Sequence, residues 1–178
     1  SLRELQAIEQ LRQLISGVQQ ALKGADGERN VPLLLQVAPA LPAAALAALA
    51  DLALELGIDG IIATNTTIGR EGLKTPADEV AALGNGGLSG APLRERSLQV
   101  LRRLRAKVGD RLLLVAAGGI ENAEDAWQRI RAGASLVQVY SALIYDGPSL
   151  PSRIARGLAE RVTQAGLSNI AEAVGRDA

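Results

Sequence analysis

Four short apolar segments alternate with helical segments along the chain, and this alternation most constrains the fold. The apolar segments cover residues 33–38, 58–64, 112–115 and 135–139. The helical segments cover residues 2–22, 42–57, 93–108, 123–132 and 149–165, and residues 68–92 are predicted to form a long loop. Apolar strands joined through helices are typical of a parallel sheet covered by helices. The sequence therefore predicts an α/β fold with half of the eight strands that a closed parallel barrel needs.

The composition excludes several classes of function. The chain has 19 basic and 19 acidic residues, so nothing attracts it generally to nucleic acid or to an anionic membrane. It has no cysteine and no histidine, which excludes disulfides, a Ser-His-Asp triad and a zinc site within the chain. We assign no metal site and no nucleic-acid partner. No apolar stretch reaches the roughly 20 residues that span a bilayer, so we expect the chain to be soluble as given.

Glycine and hydroxyl residues follow the third and fourth strand segments. Gly118 and Gly119 come between a strand and a helix, where free backbone N–H groups can bind an anion. They also suit an ordinary tight turn. Tyr140 and Ser141 follow the last strand, and the loops after the last two strands of a barrel commonly share one phosphate. With the glycine-rich residues 86–90, this pattern predicts a phosphorylated cofactor, although ring packing and turn capping also suit Tyr140 and Ser141.

Polar side chains also accompany the first two strand segments. Residues 64–67 read Thr-Asn-Thr-Thr and offer groups that bind carbonyls and carboxylates, or they form a polar turn with an N-cap. Gln36 lies inside an apolar strand, where a buried amide needs hydrogen-bond partners. We expect Gln36 to face the barrel interior. It can hydrogen-bond a ring heteroatom but cannot supply a positive charge.

The other conspicuous residues are interpreted as structural. Trp127 lies beside Ile130 on a predicted helix and is expected to pack. A group of arginines on or beside the helix at residues 93–108 is interpreted as a solvated face. These are Arg94, Arg96, Arg102, Arg103, Arg105 and Arg111.

Over nearly its whole length the chain closely resembles the C-terminal half of class 2 dihydroorotate dehydrogenases. The resemblance is carried by the segments at residues 5–6, 36–39, 56–60, 63–67, 86–93, 118–119, 130–138 and 140–141. It implies a TIM-barrel-derived (β/α) half-barrel with four parallel strands and surrounding helices, in a single domain at residues 1–178. It also implies an FMN-dependent oxidoreductase of pyrimidine biosynthesis. In this family, dihydroorotate loses a proton to a serine and a hydride to FMN, and a quinone reoxidises the flavin.

The resemblance also implies roles for individual residues. It assigns the FMN phosphate and ribityl chain to Ser89, Gly90, Gly118, Gly119, Tyr140 and Ser141. Thr64 would approach the flavin, and Asn65 and Thr66 would contact orotate. Gln36 occupies the position of the family's flavin-contacting lysine. No catalytic residue is assigned, because the family's serine lies upstream of the matching segment.

Departures from the family leave two hypotheses open. Gln36 replaces the flavin lysine, Ala40 replaces an aspartate, and Ala116-Ala117 replaces Gly-Val before the glycine pair. The chain is either the FMN-binding portion of a dihydroorotate dehydrogenase that needs its other half, or a non-catalytic half-barrel that has lost FMN binding. A different phosphate-binding barrel enzyme is a weaker third possibility.

The resemblance also leads to expectations about partners and localisation. Open strand edges predict a homodimer or a complex with a complementary half-barrel chain. Dihydroorotate or orotate would bind once the site is complete. Family members associate with the cytoplasmic or mitochondrial inner membrane through a segment not found in this sequence.

Overall fold

The computed structural model of the chain describes residues 2–25 and 31–178. The strands are β1 Leu34–Val37, β2 Gly60–Ala63, β3 Leu113–Ala117 and β4 Leu136–Gln138. The helices are α1 Leu2–Ala25, α2 Ala43–Glu55, α3 Ala77–Ala82, α4 Arg94–Val108, α5 Ala123–Arg131, α6 Ser141–Asp146 and α7 Leu150–Gln164. Short 3-10 turns at Ala91–Leu93 and Ile170–Ala173 complete the described elements.

The strands form one parallel sheet in the order β1-β2-β3-β4. Val37 pairs with Ala63, and Ala63 pairs with Ala116, so the first three strands end at the same level. Ala117 pairs with Gln138 at the end of the fourth strand. The carboxyl ends of all four strands therefore meet at one edge of the sheet, where the loops of a parallel α/β fold carry the chemistry. This confirms the predicted four-stranded half-barrel.

The two faces of the sheet differ sharply in burial. Val37, Ile61 and Leu114 point to the helices and are at most 1% exposed, as part of the main apolar core. The opposite face carries residues such as Leu113 and Leu136, which are 38% and 56% exposed. That second face would be the interior of a closed barrel. In the described part of the chain this face is only partly covered, because Val115 is buried while Leu113 and Leu136 are exposed.

Two of the described helices were not predicted from the sequence. The predicted loop at residues 68–92 contains α3, which begins after Pro76 and has Asp78 in its first turn, a favourable position for an acidic side chain. The same loop is closed at its base by paired backbone hydrogen bonds between Thr67 and Leu88. Helix α6 begins directly at Ser141. Both helices have six residues, too few to show a helical period in sequence.

The interpretation of the arginines as a solvated face was wrong for part of the group. Arg105 forms an ion pair with Asp110 and is only 15% exposed. Arg96 donates to the Pro39 carbonyl at 2.7 Å. Arg94 forms ion pairs with Glu121 and Asp125. The contacts of Arg94 and Arg96 join residues far apart in sequence, and that of Arg105 is local. Arg102 and Arg103 are exposed as predicted. The packing role of Trp127 is confirmed, since its side chain is 9% exposed in a small apolar cluster.

A bidentate ion pair joins helix α1 to α2, and it should make the stability of the chain depend on pH. Arg12 donates to both carboxylate oxygens of Glu55, at 2.6 and 2.8 Å, and these hydrogen bonds lower the pKa of Glu55 below its ordinary value. A lowered carboxyl pKa stabilises the fold above the unfolded-state pKa, about 4.3, and this contribution is lost as pH falls through the folded-state value. Carboxyl NMR titration should show the lowered pKa, and Arg12→Met should return it to the ordinary range. Arg103→Met, which removes an exposed arginine, should leave it unchanged, and an equal shift in both variants would contradict the assignment.

Candidate functional site

A cleft of about 460 Å³ opens at the carboxyl edge of the sheet. Every site residue predicted from the sequence lines it, namely Gln36, Thr64, Asn65, Thr66, Ser89, Gly90, Gly118, Gly119, Tyr140 and Ser141. They come from β1 itself, which carries Gln36, and from the loops after β2, β3 and β4. The fold thus brings together groups separated by as many as 105 residues, Gln36 and Ser141, as the parallel topology requires.

The Gly118-Gly119 turn can be formed only by glycine. The two residues have φ of 101° and 69°, in the region that other L-residues rarely adopt. A Cβ on Gly119 would lie 2.5 Å from the backbone nitrogen of Arg94, at the start of α4. The turn is therefore packed directly against the α4 backbone, and its position is fixed with little freedom.

The carbonyl groups of this turn accept hydrogen bonds from side chains of α4. The Gly118 carbonyl accepts from the Ser97 hydroxyl at 2.9 Å, and the Gly119 carbonyl accepts from Arg94 Nε at 3.3 Å. In a trans peptide the N–H is directed opposite to the carbonyl. The amides of Gly119 and Ile120, which line the cleft, are therefore directed away from these two donors, and no acceptor in the described residues takes them. Free amides of this kind bind anions.

A pair of hydroxyl groups lines the same cleft as the glycine turn. Ser89 Oγ and Ser141 Oγ are 2.7 Å apart, and Gly90, with φ of 82°, packs against Ser141. The contact joins the loop after β2 to the residue that begins α6. Tyr140 lines the same cleft but its side chain is 77% exposed, so its ring does not pack at the strand end.

The Thr64–Thr67 segment holds its polar groups in a defined local arrangement. Thr64 is 3% exposed, and its hydroxyl donates to the Asn65 carbonyl at 3.0 Å. Asn65 Oδ1 accepts from the Thr66 amide at 2.7 Å, which leaves the Asn65 side-chain NH₂ free to donate. Thr66 packs against Gly87, where an added Cβ would lie 2.8 Å from Thr66 Cβ. The segment can therefore present donors to a polar ligand.

The expectation that Gln36 is a buried amide was wrong. Gln36 is exposed, because it lies on the open face of the sheet. Gln138 is exposed on the same face at the end of β4 and also lines the cleft. Sequence reasoning did not assign Gln138 to the site, although an amide within an apolar strand is the signal that identified Gln36.

The charge of the cleft is unusual for an anion site. No lysine or arginine is among the described residues that line it. Its one acidic residue, Glu121, accepts from Arg94 at 2.5 Å, and Arg94 also lies 3.2 Å from Asp125. Asp125 in turn accepts from the Glu121 amide at 3.0 Å. An anion in this cleft would thus be bound by dipoles, from amides and hydroxyls, and by no cation that lines the described wall.

Comparison with known proteins identifies the family. The family model described as dihydroorotate dehydrogenase matches residues 1–162. The chain belongs to the dihydroorotate dehydrogenase family. It is 62% identical over 176 residues to the dihydroorotate dehydrogenase (quinone) of Thermobifida fusca, and 56% identical over 177 residues to that of Rhodococcus opacus. The predicted resemblance to the class 2 enzymes is confirmed.

The chain spans about half the length of these relatives. It covers 46% of the Thermobifida fusca dihydroorotate dehydrogenase and 48% of the Rhodococcus opacus one, while 99% of this chain is aligned in each case. A crystal structure of dihydroorotate dehydrogenase from Eimeria tenella, in complex with ferulenol, superposes with a TM-score of 0.87 and 35% identity. The superposition covers 99% of this chain and 50% of that one. The half-barrel thus corresponds to about half of a dihydroorotate dehydrogenase barrel.

Membership in the dihydroorotate dehydrogenase family implies dependence on FMN. The described residues of the cleft offer hydrogen-bonding groups for FMN but no positive charge. Free amides at Gly119 and Ile120 suit a phosphate, and the carboxamides of Gln36 and Gln138 suit a polar ring. Among the described helices, none is both long and apolar enough to cross a bilayer.

Proposed function

We propose that residues 1–178 form one domain that is the FMN-binding portion of a dihydroorotate dehydrogenase. The convergence of predicted site residues from β1 and from the loops after β2, β3 and β4 on one cleft, with the free amides of Gly119 and Ile120 in its wall, carries this proposal. The described half of the barrel supplies a cofactor site, and the rest of the activity requires the other half of the barrel.

The cleft suggests how the parts of FMN are divided among its walls. The amides of Gly119 and Ile120 hold the phosphate. The Ser89 and Ser141 hydroxyls, 2.7 Å apart, serve the phosphate and the ribityl chain. Gln36 and Thr64 approach the ring, where FMN supplies the capacity to accept a hydride.

Asn65 and Thr66 lie beside this ring position and can donate to the carboxylate and carbonyl groups of dihydroorotate or orotate. The chain's own residues therefore bind and orient cofactor and substrate. The one carboxylate that lines the described cleft, Glu121, is held in an ion pair with Arg94, so we assign the cleft no catalytic base.

Direct titration tests the proposal. Addition of the protein to FMN should quench flavin fluorescence saturably and shift the absorbance between about 350 and 500 nm, as expected when the ring leaves water. Ser141→Ala should weaken FMN binding, because it removes one of the two paired hydroxyls. Ser149→Ala, at an exposed serine before α7, should not. An unchanged spectrum at saturating protein would contradict the proposal.

Gly87, in the loop after β2, gives a prediction about substrate affinity alone. Gly87→Ala would place a Cβ against Thr66 and displace it, so orotate affinity of the FMN-loaded protein should fall by about fivefold while FMN affinity is kept. Competition titration with orotate measures this. Gly86→Ala is the matched control, since a Cβ there meets nothing within 4 Å. Equal orotate affinity in both variants would contradict the placement of Thr66 in the substrate site.

The absence of a lining cation favours a second candidate function. Gln36 stands where the family carries a flavin-contacting lysine, and the described cleft offers no other positive charge to a reduced flavin. The alternative is a half-barrel that keeps the scaffold and serves assembly without binding FMN. A colourless protein that binds no added FMN would favour this alternative.

The open apolar face of the sheet indicates how the half-barrel is completed. Leu113 and Leu136 are exposed on this face, and β1 and β4 are the edge strands. Exposed edges and apolar sheet faces are normally covered. We propose closure by a complementary half-barrel or by a second copy of this chain. Light scattering of the purified chain should report a dimer or larger assembly, and a stable monomer would contradict this.

A further inference from the structure

A buried guanidinium lies directly behind the glycine turn of the proposed phosphate site. Arg129, on α5, is 1% exposed, yet it does not line the cleft. Its Nη2 donates to the Arg94 carbonyl at 2.6 Å and to the Gly118 carbonyl at 3.3 Å. Arg129 therefore connects the start of α4 to the turn whose amides face the cleft.

Burial of the Arg129 side chain destabilises the fold. Desolvation lowers the pKa of Arg129 to about 10, although the negative charges of Asp125 and Glu95 act in the opposite direction. The side chain is therefore still charged at neutral pH. No carboxylate in the described residues lies within ion-pair distance of it, and its Nε has no hydrogen-bond partner there. A buried cation that lacks an ion pair destabilises a protein, so an apolar residue would serve simple packing better.

The hydrogen bonds of Arg129 indicate a role for this buried cation, which is to hold backbone carbonyl groups in place. The Ser97 hydroxyl donates to the same two carbonyls, at 2.9 Å to Gly118 and 3.2 Å to Arg94. Two donors thus fix one carbonyl of the turn. Since the carbonyl and the next N–H point in opposite directions, fixing the Gly118 carbonyl fixes the Gly119 amide toward the cleft.

Arg129 affects a bound anion by orienting the Gly119 amide more than by adding net positive charge. Arg94 and Arg129 carry two positive charges, and Glu121 and Asp125 carry two negative charges in the same cluster, so the sum is zero. An oriented amide, in contrast, keeps its full dipole toward the ligand without reorganisation.

We propose that Arg129, assisted by Ser97, is a positioning residue for the phosphate subsite, which it controls by holding the Gly118 carbonyl away from the cleft. This inference rests on the proposed FMN site. It gives the chain a phosphate-specific determinant that does not touch the ligand.

The test compares FMN with riboflavin, which lacks the phosphate. Arg129→Met should weaken FMN binding by about tenfold, the effect of one hydrogen bond to a charged group, and leave riboflavin binding unchanged. Arg129→Lys, which can still donate to the carbonyls, should restore most of the FMN affinity. Ser97→Ala should give a smaller loss of the same kind. Arg131→Met is the control, because Arg131 lies on the same helix and binds Asp177.

Each outcome decides the proposal. Equal weakening of FMN and riboflavin, or no rescue by lysine, would show a merely structural role and overturn it. If Arg129→Met does not fold, Ser97→Ala decides, and an unchanged FMN-to-riboflavin ratio in that variant would overturn the proposal. Inorganic phosphate should also shift the Gly119 amide resonance of the wild-type chain. If the wild-type chain binds neither FMN nor phosphate, the proposed function falls together with this inference.

Discussion

Gly119→Ala is expected to destabilise the chain and to abolish FMN binding. The added Cβ would lie 2.5 Å from the Arg94 backbone nitrogen, and a backbone cannot move aside as a flexible side chain can. We expect a loss of about 2–4 kcal/mol in the free energy of unfolding, from a left-handed non-glycine residue together with overpacking. Moving the turn also misplaces two amides, so FMN affinity should fall by at least about 100-fold. Urea unfolding and FMN titration measure the two effects.

Gly57→Ala separates backbone conformation from close packing. Gly57 has φ of 64°, close to the 69° of Gly119, but a Cβ there meets nothing within 4 Å. We expect a loss of only about 1 kcal/mol from the left-handed conformation and no change in FMN binding. If Gly119→Ala were no more damaging than Gly57→Ala, the tight packing of the turn against α4 would not matter for the site.

Gln36→Lys is expected to favour reduced FMN over oxidised FMN. Reduced FMN is more negatively charged, and no cation lines the described cleft. A lysine near the ring should contribute about 2 kcal/mol, between the values for bulk water and for a protein surface. This is roughly 30-fold in relative affinity and a rise of about 40 mV in the two-electron potential. Dye-coupled reduction of the FMN-loaded protein measures the potential.

Two variants control for that change. Gln36→Met removes the carboxamide without adding charge, and it should not raise the potential. Gln99→Lys adds the same charge at an exposed position on α4, and it too should leave the potential unchanged. An equal rise in Gln99→Lys and Gln36→Lys would mean that net charge, not position 36, controls the flavin.

The sheet and the membership of the site could be predicted because both depend on local pattern and topology. The apolar runs are continuous, and parallel strands bring their carboxyl ends to one edge, so Gly118 and Ser141 had to approach each other. What the sequence did not reveal depends on long-range contacts. The hydrogen bonds that join Arg94 and Arg129 behind the glycine turn link residues 35 apart, and in sequence Arg94 resembles any arginine of a solvated helix face.

The exposure of Gln36 illustrates a second limit. Its place on the inward face was predicted, since it alternates with residues that face the helices. Its exposure was not predicted, because burial depends on a surface that covers that face, and the described half-barrel leaves Gln36 uncovered.

A crystal structure of the chain with FMN would show whether the cleft at the strand ends is the FMN site. We expect the phosphate to accept hydrogen bonds from the amides of Gly119 and Ile120 beside Ser141, with the ring near Gln36 and Thr64. A phosphate bound elsewhere, or a ring outside the cleft at the strand ends, would contradict this expectation.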